Sequence, residues 1–251
     1  MKHLGIGRCI FGVGADKPDA AALLRNEAEG FDNIEVRTLS AIYPAGDERS
    51  LILALTGRKL MPGKHPGSLR VLILNAETVI RMMQYLKTGM PYVSTTLTVD
   101  GSAVAEPMNV EVPIGTLYED VLDFCRADAE NAGKLMISGP MTGTALPSAD
   151  IAVTKADDAA ILLSKLHAAR DRQTACINCG QCLRACPAGL APVVLMKAWN
   201  KRDLAALADH RISACTSCGC CSYVCPARRQ LSFELSLARD WAEKTREGRD
   251  E

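Results

Sequence analysis

Eight cysteines in the last third of the chain stand at spacings that suit iron–sulfur chemistry. The first run is Cys176-Ile-Asn-Cys179-Gly-Gln-Cys182-Leu-Arg-Ala-Cys186-Pro187, and the second is Cys215-Thr-Ser-Cys218-Gly-Cys-Cys221-Ser-Tyr-Val-Cys225-Pro226. Both runs read C-x2-C-x2-C-x3-C-P. Three thiolates two residues apart can wrap a tight loop around one Fe4S4 cube, while the fourth lies one helical turn further on and serves the neighbouring cube. The repeated pattern therefore predicts two [4Fe–4S] clusters.

The fourth cysteine of each run binds the cluster held by the other run, so that each cluster has four ligands. The first cluster is assigned Cys176, Cys179, Cys182 and Cys225. The second cluster is assigned Cys215, Cys218, Cys221 and Cys186. Zinc is the alternative, because thiolates also suit that metal. A zinc site, however, uses four ligands in two separated pairs and has no need of a doubled, proline-terminated run, so iron–sulfur clusters are favoured.

Other potentially reactive residues form no recognisable set, and no catalytic residue is predicted. Cys220 is spare within the second run, and Cys9 and Cys125 stand in apolar runs typical of a core. The four histidines are scattered, and we interpret them as surface or packing residues: His3, His65, His167 and His210. Ile177, Leu183 and Val224 are expected to tune the clusters by excluding water.

The composition excludes several classes of function. Lysine plus arginine and aspartate plus glutamate number 29 each among 251 residues, and aromatic residues make up 4%. This balance gives no electrostatic reason to expect binding to nucleic acid or to an anionic membrane. The N-terminus lacks the features of a signal peptide, and the apolar runs at residues 51–55 and 71–74 are too short to span a bilayer. A cytoplasmic protein is expected, peripheral to the inner membrane only through partners, with cysteines that bind metal rather than form disulfides.

The elements that precede the cysteines suggest two further parts. Residues 1–90 are expected to form a partial Rossmann-like α/β domain with a parallel sheet. Strands are predicted at residues 8–13, 33–39 and 71–75. Helices are predicted from Asp16 to Glu29, at residues 47–55, closed by Gly57, and at residues 77–87, closed by Gly89.

Residues 91–155 are expected to form a β-grasp module of the soluble ligand-binding type. Strands are predicted at residues 93–99, 103–112 and 134–138, with a helix at residues 117–125 and a closing segment at residues 151–154. Residues 156–251 are expected to form an α-helical ferredoxin domain. Its helices are predicted at residues 158–168, 191–199, 204–209 and 231–244. The expected fold class is thus α/β plus β-grasp plus all-α.

Several short blocks resemble a known family over nearly the whole chain. They are Gly12–Ala20, Tyr43-Pro-Ala-Gly-Asp-Glu48 followed by Leu51–Arg58, Asn75–Thr78, and Ser138-Gly-Pro-Met-Thr-Gly143 with Ala145-Leu-Pro147. Together with the cysteine runs they resemble the C component of the Rnf electron-transport complex, the Rnf-C family. They are also similar to the corrinoid reductase of microcompartments and, more distantly, to the flavoprotein subunit of NADH dehydrogenase.

The resemblance implies a flavin or NADH site at Glu48 and Asn75, which fall on contacting positions in relatives. The chain departs from the family because it starts after the Gly-rich loop that cradles the FMN phosphate, and because Gly14-Ala15 replace an acidic pair. FMN is therefore expected only if it is shared with a partner. The favoured alternative is that Glu48 starts a helix and Asn75 ends a strand.

The resulting hypothesis is an electron-transfer subunit of an oxidoreductase complex rather than a complete enzyme. It would relay single electrons between a flavoprotein, ferredoxin or membrane subunit and an acceptor, within a hetero-oligomer. The alternative is a reductase of a bound small molecule such as a corrinoid or quinone, held by the β-grasp module. A third hypothesis is a structural scaffold, in which the clusters stabilise the helical domain and never change oxidation state.

Overall fold

The structure is a computed structural model that describes residues 5–168 and 172–247. Its strands are β1 (Cys9–Gly14), β2 (Ile34–Leu39), β3 (Ser94–Asp100), β4 (Met108–Pro113), β5 (Ala132–Ile137), β6 (Thr144–Leu146) and β7 (Ala159–Ser164). Its helices are α1 (Pro18–Ala28), α2 (Glu48–Thr56), α3 (Ala76–Thr88), α4 (Tyr118–Phe124), α5 (Lys165–Ala168), α6 (Gln181–Arg184), α7 (Pro192–Asn200), α8 (Leu204–Asp209), α9 (Cys220–Tyr223) and α10 (Leu231–Glu247). Among the described residues, none of the helices has the length and apolarity needed to cross a bilayer.

The first part of the fold is built on two parallel strands, β1 and β2, with Cys9 opposite Ile34 and Gly14 opposite Leu39. Helix α2 packs closely on β1 at Gly12. A Cβ atom on that glycine would meet the side chains of Leu39, Leu51 and Leu55 at 3.0–3.2 Å. The missing side chain therefore lets the helix approach the strand and bury its apolar face.

The predicted starts and ends of α2 and α3 are confirmed. The Asp47 side chain accepts a hydrogen bond from the Ser50 backbone N–H at 3.3 Å, and α2 ends at Gly57. The Asn75 side chain accepts from the Thr78 N–H at 2.8 Å, and α3 ends at Gly89. Both glycines lie at φ +70°, where a left-handed cap favours glycine. These ends follow from local chemistry, and the sequence predicts them well.

The predicted strand at residues 71–75 is wrong. That segment pairs with neither β1 nor β2, and the first sheet has two strands among the described residues. Leu72 and Leu74 are 58% and 38% exposed. Strand preference depends on pairing and on packing against neighbours, so an apolar run without a partner strand does not become part of a sheet.

The second part is a five-stranded mixed sheet in the order β4-β3-β7-β5-β6. The strands predicted at residues 93–99 and 103–112 are present as β3 and β4, which pair antiparallel, although β4 begins only at Met108. Helix α4 covers one face of the sheet. The core between them contains Leu97, Val99, Tyr118 and Leu162, each at most 4% exposed.

The predicted helix at residues 158–168 is also wrong over most of its length. Strand β7 runs through the middle of the sheet, parallel to β3 and antiparallel to β5, and α5 is the one helical turn that follows. A short apolar run such as Ala-Ala-Ile-Leu-Leu suits a buried helix or a buried strand equally, so only its neighbours decide. The predicted closing segment at residues 151–154 contributes an isolated bridge between Leu117 and Ala152.

The third part is helical, and its three longer helices were predicted at nearly the observed positions. Helices α7, α8 and α10 bury Leu195, Leu207 and Leu235 in a common core. Trp199 and Trp241 pack edge to face with ring centroids 5.8 Å apart. The Arg202 guanidinium lies 3.4 Å from the centre of the Trp199 ring. Residues of both cysteine runs pack against this core.

Candidate cluster-binding site

The two cysteine runs fold into loops of the same conformation. Asn178 and Ser217, each just before the second cysteine of its run, have φ of 55° and 56°. Gly180 and Gly219, each just after that cysteine, have φ of 73° and 84° and begin the short helices α6 and α9. Residues at positive φ let the backbone curl tightly, so that successive thiols face a common centre.

The second loop shares a cavity with the last cysteine of the first run. Cys186 lines this cavity together with Cys215, Cys218 and Cys221. Burial raises the pKa of the Cys215 thiol, and the neighbouring Cys186 and Cys218 raise it further. The tertiary fold therefore brings together the four side chains that the sequence assigned to the second cluster.

The first loop carries three of the four cysteines assigned to the first cluster. Burial raises the pKa of the Cys182 thiol, and the nearby thiols of Cys176 and Cys179 contribute in the same direction. Cys225 follows helix α9, which packs against helix α6, where Cys182 lies. Cys182 and Cys225 both pack against the helical core.

The donor set of the second loop consists of thiols, which suit an iron–sulfur cluster. Within residues 5–168 and 172–247, no three Cys, His, Asp or Glu side chains come close enough to bind one metal ion. In the second loop, Cys215, Cys218 and Cys221 line one cavity together with Cys186. A [4Fe–4S] cube needs that arrangement, because each of its irons takes a different thiolate, whereas zinc draws four ligands to one centre. A bound cluster would supply reversible one-electron chemistry at this position.

One backbone N–H group donates to a thiol that lines the cavity of the second loop. The Leu190 N–H donates to the Cys186 Sγ at 3.3 Å. Hydrogen bonds to cluster sulfurs are among the factors that set cluster potentials. Cys220 is buried and lines the same cavity, and burial raises its pKa to about 11. It remains spare in the proposed ligand set.

Residues far away in sequence also hold the second loop, and sequence reasoning missed them. The Tyr43 hydroxyl donates to the Cys218 carbonyl at 2.6 Å, and the Arg49 guanidinium donates to the Ala214 carbonyl at 3.1 Å. Arg239 of α10 donates to the Cys215 carbonyl at 3.0 Å. Tyr43 belongs to a block that the resemblance had singled out, but nothing in its local sequence pointed to the cysteines.

The second sheet also touches this loop. A Cβ atom on Gly219 would lie 2.6 Å from the Met141 carbonyl oxygen. Met141 stands between β5 and β6, within the block that resembles a family segment. The second loop is therefore enclosed by all three parts of the fold.

The first loop has no such cover, and one expectation about it is wrong. Cys176 and Cys179 are exposed, and the side chains of Ile177 and Leu183 are 66% and 41% exposed. These two apolar residues therefore do not exclude water from the first loop, because no other element packs over them among the described residues. Val224, beside the second run, is half-buried.

The two positions suggested for flavin or NADH lie at helix starts. Glu48 is the first residue of α2 and is exposed, which agrees with the interpretation that it starts a helix. Asn75 is exposed and caps α3, so the expectation that it ends a strand is wrong. Its side-chain oxygen is occupied by the Thr78 N–H.

Cys9 and Cys125 lie outside the two cysteine runs, and the histidines His65, His167 and His210 are exposed. Cys125 is fully buried in the core of the second sheet, and Cys9 is half-buried in β1. The Nδ1 atom of His167 lies 2.9 Å from the Ser164 hydroxyl. His3 falls outside the described residues.

Two family models match the chain. Residues 1–84 match the Nuo51 FMN-binding domain, and residues 175–228 match the 4Fe-4S dicluster domain. The second match contains both cysteine runs. The first covers β1, α1, β2, α2 and most of α3.

The curated relatives are components of ion-translocating complexes. The C component of the proton-translocating ferredoxin:NAD(+) oxidoreductase complex of Clostridium ljungdahlii is 34% identical over 78% of this chain and 42% of its own length. The Na(+)-translocating counterpart of Acetobacterium woodii is 33% identical over 77% of this chain and 44% of its own. The C component of the ion-translocating oxidoreductase complex of Yersinia pestis is 31% identical over 73% of this chain and 30% of its own length. The chain thus spans less than half the length of these relatives.

A solved structure shares the fold. The match is to a chain in the crystal structure of the NAD+-reducing [NiFe]-hydrogenase in the air-oxidized state. The superposition covers 98% of the present chain and 41% of the hydrogenase chain, with a TM-score of 0.55 and 18% sequence identity. At that identity the likeness concerns the fold alone.

Proposed function

We propose, since the chain belongs to the Rnf-C family of ion-translocating oxidoreductase complexes, that it relays single electrons through two [4Fe–4S] clusters. The observation that carries this proposal is the shared cavity of Cys186 with Cys215, Cys218 and Cys221. A thiol from one run that faces the loop of the other is the arrangement that two neighbouring cubes require.

Eight thiolates would hold the clusters in the proposed crossed sets. Cys176, Cys179, Cys182 and Cys225 bind the first, and Cys215, Cys218, Cys221 and Cys186 bind the second. The hydrogen bond from Leu190 and the enclosure by Tyr43, Arg49 and Met141 tune the second cluster. The chain carries electrons and performs no substrate chemistry of its own, which makes it a subunit rather than a complete enzyme.

The division into three parts belongs to the same proposal. We assign residues 1–90 to the partial flavin-domain unit. The β-grasp module was expected at residues 91–155, but its boundary moves past residue 155, because strand β7 (Ala159–Ser164) lies in the same sheet between β3 and β5. The helical two-cluster domain, expected from residue 156, then begins after β7. The family match to an FMN-binding domain supports a contribution to a flavin site. Glu48 and Asn75 would then lie beside a flavin or nicotinamide whose phosphates another polypeptide segment binds, since neither side chain provides an anion site.

The partners follow from the family. We place the protein in a hetero-oligomer with a flavoprotein, a ferredoxin or membrane subunits, on the cytoplasmic side and peripheral to the membrane. The names of the relatives contain ferredoxin and NAD(+) but neither corrinoid nor quinone, so the alternative of a small-molecule reductase is not adopted.

Iron and sulfide analysis of anaerobically prepared protein tests the proposal. We expect about eight irons and about eight acid-labile sulfides per chain, and electron paramagnetic resonance signals of two reduced clusters after dithionite. The Cys9→Ser variant, which alters a half-buried cysteine outside both loops, should retain the full content. Stoichiometric zinc, or iron well below eight per chain, would contradict the proposal, and clusters that dithionite cannot reduce would support a mere scaffold.

A further inference from the structure

The cavity of the second loop holds one thiol more than a cube can use. Five cysteines line it: Cys186, Cys215, Cys218, Cys220 and Cys221. A [4Fe–4S] cube takes one thiolate at each of its irons, so the proposed ligand set leaves Cys220 over. The simplest interpretation is that Cys220 only fills space. That interpretation does not account for a spare thiol in the same cavity as all the proposed ligands of the second cluster.

Cys220 is positioned by the start of helix α9. Gly219 has φ of 84°, a left-handed conformation that turns the chain between Cys218 and Cys220. Cys220 and Cys221 are the first two residues of the helix, and they are 9% and 8% exposed. Both are thus more than nine-tenths buried, and protein groups rather than solvent surround them.

The Cys220 thiol contacts the thiol of a proposed ligand. It is within hydrogen-bond reach of the Cys218 thiol, and Cys186 lies close enough to interact with it electrostatically. Tyr43 lies beside the same two thiols, because burial and then the charges of Cys218 and Cys220 raise the pKa of its hydroxyl. That hydroxyl donates to the Cys218 carbonyl at 2.6 Å. Cys218 and Cys220 are therefore a contacting pair, held at one place in the cavity.

We propose that Cys220 is a reserve ligand, which can take the place of Cys218 on the second cluster. The inference rests on the proposed function, because it assumes a cluster in this cavity. In the exchange, the bond from one iron to the Cys218 sulfur breaks and a bond to the Cys220 sulfur forms. The proton of the Cys220 thiol passes to the released Cys218 sulfur across the contact between them. No electron is transferred, and the number of bound thiolates stays the same.

The first loop carries no cysteine at the corresponding position. Gln181 stands there, directly after Gly180 and before Cys182, as Cys220 stands between Gly219 and Cys221. Gln181 is exposed, and an amide does not replace the soft thiolate that an iron–sulfur cluster prefers. The two loops share their cysteine spacing and backbone angles, so the first loop provides an internal comparison that lacks the reserve.

The iron and sulfide content of anaerobically prepared variants tests the inference. Cys218→Ala should keep about eight irons and about eight sulfides per chain, because Cys220 replaces the missing thiolate. Cys218→Ala/Cys220→Ala should keep about four of each, since the second cluster then lacks a ligand. The paramagnetic signal of the second cluster should persist in the single variant and vanish in the double variant. Cys179→Ala, the matched change in the first loop, should keep about four irons.

The comparison of the single with the double variant decides the inference. A loss of about four irons between them supports it, and equal iron content in both overturns it. Retention of about eight irons by Cys179→Ala also overturns it, because a cube would then survive without a fourth cysteine. Iron well below about eight per chain in the native protein overturns the proposed function and this inference together. A full content in the native protein, with equal losses in the two variants, overturns the inference alone.

A second pair of variants tests the same point without the loss of side-chain volume, and it decides where an alanine variant is insoluble. Cys218→Ser and Cys218→Ser/Cys220→Ala place a hydroxyl of nearly the same size where the Cys218 thiol stood. The first should hold about eight irons and the second about four. Equal contents at any level overturn the inference, since a full content in both would mean that the hydroxyl itself binds the iron and that Cys220 is not needed.

Discussion

The thiol of Cys221 lies against the helical core with 8% of its surface exposed. Burial, together with the neighbouring thiols of Cys215 and Cys218, raises its pKa to about 12. A thiol with such a pKa stays protonated near neutral pH, whereas iron binds the thiolate. Binding of a cluster at the second loop would therefore release protons, and the bound cluster would supply positive charge that stabilises the buried thiolates.

The proposed crossed ligand sets predict which cluster each cysteine binds. In Cys186→Ser, we expect the cluster bound by the second loop to be lost although the substitution lies in the first run, because Cys186 lines the cavity of the second loop. Iron and sulfide should fall from about eight to about four per chain. The paramagnetic signal that remains should be that of the exposed first cluster.

Cys220→Ser provides the matched control, since Cys220 lines the same cavity but is spare in the proposed set. This variant should keep both clusters. Loss of iron from Cys220→Ser but not from Cys186→Ser would show that the assignment of the ligands is incorrect.

At the scale of elements, the two loops are a natural comparison, because the same turn is built twice in different surroundings. Gly180 and Gly219 occupy equivalent positions with φ of 73° and 84°. The nearest atom to a Cβ on Gly180 is 3.8 Å away at the end of the flexible Arg184 side chain, whereas a Cβ on Gly219 would lie 2.6 Å from the Met141 carbonyl. Only the second loop is packed against a neighbouring backbone.

We therefore predict that Gly219→Ala destabilises the protein more than Gly180→Ala does. Both substitutions carry the cost of a left-handed backbone, about 1–2 kcal/mol. Gly219→Ala must in addition displace the Met141 segment, which adds roughly 1–3 kcal/mol in the way that overpacked sites do. Chemical denaturation of anaerobic protein measures the difference. Equal losses would mean that the contact with Met141 contributes nothing to stability.

At the scale of the whole molecule, hydrogen bonds across long stretches of sequence attach the second loop to the first part of the fold. Tyr43 and Cys218 are 175 residues apart, and Arg49 and Ala214 are 165 apart. The acceptors are backbone carbonyls of the loop or of the residues just before it. A rigid enclosure of this kind fixes the surroundings of the second cysteine loop while the first remains open to solvent.

Removal of these hydrogen bonds should loosen the second loop selectively. In Tyr43→Phe/Arg49→Gln, we expect faster amide hydrogen exchange in residues 213–221 and a shift in the potential of the second cluster, because an intramolecular hydrogen bond contributes about 0.5–1.5 kcal/mol. Exchange in residues 176–182 should stay unchanged and serves as the internal control. A uniform increase in both loops would indicate general destabilisation instead.

The sequence by itself determined the features that depend on residues a few positions apart. The spacing of Cys176, Cys179 and Cys182 indicates a cluster loop without knowledge of the fold, because three thiols on one tight turn already constrain the ligand. The spans of α2 and α3 and the glycines that close them, Gly57 and Gly89, likewise follow from local sequence, since caps act within one turn. The capping role of Asn75 was not foreseen, because it was expected to end a strand.

Only the tertiary structure decided the features that depend on remote neighbours. Residues 159–164 became the strand β7 because β3 and β5 offered it pairing on both sides, whereas residues 71–75, with equally apolar composition, found no partner strand. The two cysteine loops share one spacing and nearly identical backbone angles, yet Tyr43, Arg49 and Met141 cover one of them and leave the other exposed. Pairing and burial arise where distant segments meet, and no local pattern of residues records which segments those are.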